Sequence, residues 1–187
     1  MTTPYKCGMI DGIQMMPDEV SYVVEKIRSM PQDGKMVEWG SGGSTCKWLK
    51  ELSPSQRLIS IEHNKQWYDN VVTSVRVGFG KLPSNFTYMF RPEHPCCSHG
   101  YGGVEEENPA GLDGYIFPTS DVLDANLYLV DGLARGPIVS MLMFKNVKKD
   151  ATILLHDFTH RQVAYNWITQ FCEVEIIGDT LAKLSLK

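Results

Sequence analysis

Residues 36–45 read Met36-Val37-Glu38-Trp39-Gly40-Ser41-Gly42-Gly43-Ser44-Thr45, a short apolar lead-in, an acid and a glycine-rich turn. Without a Cβ, Gly40, Gly42 and Gly43 can take positive φ and let the main chain press against a ligand where any side chain would collide. Ser44 and Thr45 can open the next helix. Further on, Leu58-Ile59-Ser60-Ile61-Glu62 is a second apolar run closed by a carboxylate. That separation suits a strand, helix, strand unit whose second strand delivers an acid to a ribose. A nicotinamide-binding Gly-x-Gly-x-x-Gly turn needs a third glycine, and none sits where that fingerprint requires it.

The two motifs together resemble class I S-adenosylmethionine-dependent methyltransferases. In that family a Glu/Asp-x-Gly-x-Gly turn holds the methionine end of the cofactor, and an acid closing the second strand binds the ribose hydroxyls. The resemblance implies S-adenosyl-L-methionine as cofactor. It assigns the turn to Glu38, Gly40, Ser41, Gly42, Ser44 and Thr45, and the ribose to Glu62 with His63 or Asn64 beside it. It also implies a Rossmann-like, doubly wound α/β fold, mostly parallel and seven-stranded, with an antiparallel last strand and helices on both faces.

The rest of the chain fits one methyltransferase domain over residues 1–187. Val20, Val23, Val24 and Ile27 repeat at helical spacing after Pro17, so a helix is expected over 17–30. Strands are expected at 36–39, 58–62 and 85–91, with helices at 44–52 and 66–77 between them. The amino-terminal stretch 1–30 supplies that helix and a lid, Gly8 to Gln14, over the methionine moiety. Residues 92–121 break the rhythm with prolines, glycines and the acidic run Glu105 to Glu107, and read as an insertion near the active-site mouth. Tyr101, Tyr115 and Phe117 give it a substrate-covering role, while Met89 to Arg91 are available to pack on the adenine. Order returns with a strand at 125–131, a helix at 137–147, a strand at 151–155, a helix at 161–171 and a closing hairpin of 173–178 with 181–186.

Chemistry is expected at the carboxyl ends of the fourth and fifth strands, where Asp131, His156 and Asp157 fall. Asp131 serves both catalysis and the cofactor wall, and Arg135, His160 and Tyr101 are candidates to hold the substrate. Two mechanisms fit. In one, Asp131 and Asp157 hold Mg2+ or Mn2+, which draws in the acceptor oxygen and lowers its pKa. In the other, His156 or Asp131 is the general base with no metal, and Arg135 fixes the substrate. Each residue also has a structural reading: Asp131 as a turn residue, His156 as a capping ring, Asp157 as a helix N-cap.

The Val130-Asp131-Gly132 and His156-Asp157-Phe158 pieces resemble small metal-dependent methyltransferases acting on sugar hydroxyls of natural products. More loosely, Asp131-Gly132 with Arg135-Gly136 resembles enzymes that methylate glucuronic acid on plant xylan. Both comparisons imply O-methylation of a sugar or glycan. A catechol-type small-molecule O-methyltransferase and a non-catalytic cofactor-binding subunit are the alternatives. His94, Cys96, Cys97 and His99 do not have zinc-site spacing.

With 187 residues and a net charge of −4 at pH 7, the composition points to a small or uncharged substrate and away from nucleic acid; with the resemblances above, a small-molecule or glycan acceptor is expected. No apolar run is long enough to span a bilayer, and no signal-type segment stands at the amino terminus. A soluble, cytoplasmic protein is therefore expected, with a homodimer as the oligomeric option. The scattered Cys7, Cys46, Cys96, Cys97 and Cys172 are no disulfide framework.

Overall fold

The structure, a computed structural model, describes residues 3–7, 10–95, 107–145 and 147–187, with side chains from residue 12 onward. The chain opens with an antiparallel hairpin, β1 (Thr3–Cys7) and β2 (Ile10–Ile13). It then enters α1 (Pro17–Ser29) through a proline in the first turn. The four apolar residues at helical spacing are buried in α1, with Val23 and Ile27 losing all contact with solvent. Each such side chain contributes about 1.5–3 kcal/mol. Met30 ends the helix in an extended conformation, as the residue before Pro31 must.

Next come β3 (Lys35–Trp39), α2 (Gly43–Glu51), β4 (Arg57–Glu62), α3 (Lys65–Phe79) and β5 (Phe86–Phe90). In the 92–121 segment a single helical turn, α4 (Asp113–Ile116), and a 3-10 turn (Ser120–Leu123) are present. The second half adds β6 (Leu127–Val130), α5 (Arg135–Phe144), β7 (Thr152–Leu155), α6 (Gln162–Tyr165) with a following 3-10 turn (Asn166–Gln170), β8 (Cys172–Ile177) and β9 (Leu181–Leu186). The helix expected over 161–171 is thus split in two, and Val163 within it is almost wholly exposed.

Seven strands form one sheet in the order β5-β4-β3-β6-β7-β9-β8. The first five in that order run parallel, while β9 is antiparallel to both β7 and β8. This is the mostly parallel, doubly wound sheet expected, with the hairpin closing it. The chain enters this sheet in the middle at β3, moves outward to β5, then crosses back to β6. The strand order therefore reverses between β3 and β6, where ligands bind in such sheets.

Side chains alternate across each strand, and this period decides what meets what at the strand ends. Val37, Trp39, Ile61, Tyr128, Val130 and Leu155 enter one core layer. Met36, Leu58, Leu127, Leu129 and Leu154 enter the other, with α1 and α2. Carried two residues further, or four from Leu58, the second set puts Glu38, Glu62, Asp131 and His156 on the α1/α2 side of the sheet. The acidic strand ends thus share a face because the hydrophobic register requires it.

Among the described residues no helix is long and apolar enough to cross a membrane. Cys172 is a free, buried thiol. Cys46 is disulfide-bonded.

Candidate functional site

After Trp39 the chain turns sharply at Gly40, whose φ is +87°. A Cβ there would lie 2.7 Å from both the Asp131 carbonyl carbon and Gly132 N. Only glycine allows the turn to lie flat on the loop after β6. Gly40 N donates to Ile61 O at 3.1 Å and Asp131 N donates to Trp39 O at 2.9 Å, so three strand ends are tied at this point. Of the three glycines expected to use positive φ, only Gly40 does: Gly42 is extended and Gly43 begins α2.

Glu38 and Thr45 lie beneath the turn, both fully buried. Thr45 Oγ1 donates to Glu38 Oε1 at 2.6 Å and accepts from Gly42 N at 3.0 Å, so the acid fixes the shape of the turn from below. The expectation that Thr45 contacts the cofactor is replaced by this internal role. Glu38 Oε2 has no hydrogen-bond partner among the described residues. Burial pushes the Glu38 carboxyl up to about 7, despite the Thr45 bond.

Glu62 is also buried, yet reaches the wall of a cavity of about 780 Å³. Its Oε2 accepts from Ser41 N (3.1 Å) and Ser41 Oγ (2.7 Å), and its Oε1 from His63 N and Asn64 N (2.9 Å each). Burial raises its pKa, but His63, the Asn64 amide and the Ser41 hydroxyl outweigh that and hold it below the ordinary value. A carboxylate offers about four lone-pair sites, and four donors already occupy them. The Ser41 hydroxyl is the exchangeable one, since Tyr88 Oη offers it a second partner at 2.6 Å.

The opposite wall carries a charged cluster. His156 Nδ1 lies 2.7 Å from Asp131 Oδ1. Arg135 Nη1 donates to Asp157 Oδ2 at 2.7 Å and to His156 O at 2.9 Å, and its Nη2 is 3.7 Å from Asp131 Oδ1. Burial works against a charged imidazole, but Asp131, Glu19 and Asp157 around it push His156 up to about 10. Burial likewise raises the Asp157 carboxyl, and His156, Arg135 and Arg161 together hold it below the usual carboxylate range. Asp157 itself has φ +56°, a conformation Asp tolerates better than most residues. That kink ends the strand alternation and lets adjacent residues 156 and 157 serve the same site. Asp157 is not a helix N-cap: α6 begins later, after Arg161.

The structure therefore brings together Gly40, Ser41, Gly42, Ser44, Glu62, His63, Asp131, Arg135, His156 and Asp157 around one cavity. Of the stretch expected as a lid, Gly12, Ile13 and Gln14 line the cavity, while Gly8 and Met9 lie outside the described residues. His160 is largely exposed and meets Asp157 Oδ1 at 3.7 Å from outside that cavity. Tyr101, with Cys96, Cys97 and His99, lies outside the described residues. Tyr115 is a correction: it is fully buried in the core, edge-on to His63 at 5.3 Å, and cannot cover a substrate. Its ring sits so close under Gly132 that a Cβ there would fall 1.9 Å from the hydroxyl. Met89 to Arg91 do not line the cavity. Gln66, Trp67 and Asn70 of α3 do, and the Trp67 indole donates to Ser41 O. An aromatic residue in the first turn of the helix after Glu62 was the available signal for Trp67.

No protein-family model matches the sequence, and no curated protein matches it either. Solved structures do. A methyltransferase-like protein from Silicibacter pomeroyi is similar over 94% of this chain and 88% of its own, with 18% identity and a TM-score of 0.71. Cofactor-bound Rv0187 from MTB has a TM-score of 0.66 at 11% identity, over 95% and 84% of the two chains. The Podospora anserina methyltransferase PaMTH1, solved with SAH, has a TM-score of 0.60 at 12% identity, over 90% and 78%. This chain has the class I methyltransferase fold. A precorrin-6y C5,15-methyltransferase from Geobacter metallireducens shares it at a TM-score of 0.54 and 16% identity, over 88% and 84% of the two chains. The fold accordingly leaves the acceptor atom open.

Proposed function

We propose that this chain is an S-adenosylmethionine-dependent O-methyltransferase whose acceptor is a sugar or glycan hydroxyl. The observation that carries the reading is the Gly40 turn pressed against the Asp131 loop. It brings the ribose acid Glu62 and the candidate base Asp131 to two walls of one cavity at the reversal of strand order. Its volume of about 780 Å³ lies within the range of ligand sites and leaves room beside a nucleoside. Two of the similar structures, Rv0187 and PaMTH1, were solved with cofactor or SAH bound.

When bound, the cofactor supplies an electrophilic methyl group on a sulfonium. The chain's own residues do the rest. Glu62 accepts the ribose hydroxyls as Ser41 turns its hydroxyl to Tyr88, and the turn at Gly40 to Gly42 gives the methionine end a wall without side chains. Asp131 takes the proton of the acceptor hydroxyl as the new oxygen–carbon bond forms and the sulfur–carbon bond breaks. His156, whose pKa the surrounding acids push up, is bonded to Asp131 and holds that carboxylate in place; it is not itself the base. Around Asp131 the wall is made of Arg135, Asp157 and Arg161, hydrogen-bonding groups that suit a polyol better than a flat aromatic ring.

Asp131, His156 and Asp157 do present ligand atoms within 4.8 Å of one another. The donor set is nonetheless poor for a divalent ion: Asp157 Oδ2 accepts from the Arg135 guanidinium, whose Nη2 lies 3.7 Å from Asp131 Oδ1, and that same Asp131 oxygen is 2.7 Å from His156 Nδ1, so a cation of the protein already stands between the two acids. The reading proceeds without a metal. Transfer of labelled methyl from S-adenosylmethionine to a panel of sugars, phenols, amines and carboxylates tests it. Label on a sugar hydroxyl is expected; label confined to phenols or amines, or none at all, would overturn it.

A further inference from the structure

We infer that Glu19 is a positioning residue for Asp131, acting through His156; this rests on the functional reading above. Glu19 belongs to the first turn of α1, remote in sequence from every strand end, and is fully buried. Its Oε1 accepts from Thr180 N (2.6 Å), Thr180 Oγ1 (2.9 Å) and Leu181 N (2.9 Å) in the turn between β8 and β9. Its Oε2 accepts from Met16 N at 2.9 Å and lies 3.6 Å from His156 Nε2. On the ring's other side, Nδ1 meets Asp131 Oδ1 at 2.7 Å. The imidazole therefore has a carboxylate at each nitrogen, one from α1 at ion-pair distance and, at hydrogen-bond distance, the one that faces the acceptor.

Capping α1 uses one oxygen and holding the hairpin uses the other, so an amide, with a single acceptor oxygen, could serve only one of the two. The oxygen that caps α1 is also the one that faces the ring nitrogen opposite Asp131, so the fixed carboxylate sets where the ring stands. A second observation shows why the ring must be held. A smaller cavity of about 210 Å³, bordered by Gln14, Met16, Glu19 and His160, also adjoins His156. Without the Glu19 anion the ring has space to turn into that cavity and release Asp131. Met16 lies two residues after Gln14, so the same carboxylate ties the base of the Gly12 to Gln14 stretch to the catalytic wall.

The test is a double-mutant cycle on the full chain, using E19Q, H156N and the pair, with the acceptor identified by the label screen. E19Q should lower kcat by about tenfold to a hundredfold, the scale of a misplaced reacting group. The Kd for S-adenosylhomocysteine should stay within about twofold of wild type. In the H156N background E19Q should add less than a further twofold, because its effect travels through the ring. Thr180→Val, which removes one bond on the hairpin side only, should lower the melting temperature and leave kcat within about twofold. Should E19Q fail to fold, E19D keeps the charge for the hairpin amides but withdraws it from His156, and the same kcat loss is expected. An active wild type with E19Q turning over as fast, or with the E19Q and H156N losses multiplying, overturns the role of Glu19 alone. A wild type that transfers no methyl to any acceptor overturns the functional reading, and this role with it.

Discussion

Glu38 gives the most quantitative prediction. Its carboxyl is fully buried, one oxygen has no partner among the described residues, and burial pushes its pKa from 4.5 to about 7. The folded state thus holds the proton more tightly than the unfolded chain does. Relative to the ionised form, that advantage is complete below pH 4.5 and is lost as pH rises through about 7. Above pH 7 the shift corresponds to about 3 kcal/mol of instability. E38Q keeps the shape and an oxygen for Thr45 but cannot ionise. Its amide nitrogen then takes the unpartnered place, at a cost of about 1 kcal/mol. E38Q should therefore be about 2 kcal/mol more stable than wild type at pH 8, and equal or slightly less stable at pH 4.5. Urea unfolding at both pH values measures the difference directly. Equal stability at pH 8 would refute the reasoning, because it would mean that the buried acid ionises at no cost. A positively charged ligand over the turn favours the ionised acid, so binding near pH 6.5 should release a proton in wild type and not in E38Q.

Gly40→Ala should destabilise the fold by about 3 kcal/mol or more, from a strained positive φ and from backbone 2.7 Å from the new Cβ; a variant within 0.5 kcal/mol of wild type, roughly the surface-substitution range, would contradict the account of the turn. Asp131→Asn should lower kcat about 10²-fold to 10⁴-fold, the range of a lost general base, while calorimetry finds cofactor affinity nearly intact. Ser41→Ala should leave cofactor affinity unchanged or higher, since it vacates a Glu62 lone pair that the ribose needs; a tenfold loss would show that Ser41 holds the ligand and not merely the acid. Chelation with EDTA should leave the rate unchanged, and restoration of lost activity by magnesium would refute the charge balance drawn for Asp131 and Asp157.

The fold was legible wherever one face of an element repeats over several residues. The apolar lead-ins of β3, β4, β6 and β7, the closing hairpin and the spacing of α1 all carry such patterns, and all lie where expected. Single turns were not legible. Leu112, Tyr115 and Ile116 do show helical spacing around α4, but one turn among prolines and glycines is too short for a period to emerge. Tyr115 was consequently read as a rim residue, although it fills the core under Gly132. The first-strand acid and its partners were legible as a motif, while the division of labour was not. That Thr45 serves Glu38 and Ser41 serves Glu62 depends on which side of the turn each faces. Glu19 was invisible for a different reason: it reaches the site from another element, through contacts that no local spacing encodes.

The central claim is that the crevice over Gly40 binds a sulfonium-bearing nucleoside through Glu62. Titrating S-adenosylmethionine into wild-type protein and into Glu62→Ala by calorimetry addresses it most directly. Saturable binding with one ligand per chain is expected in wild type, with affinity reduced at least tenfold in the variant. No heat at millimolar ligand, or equal affinity in the two proteins, would contradict it.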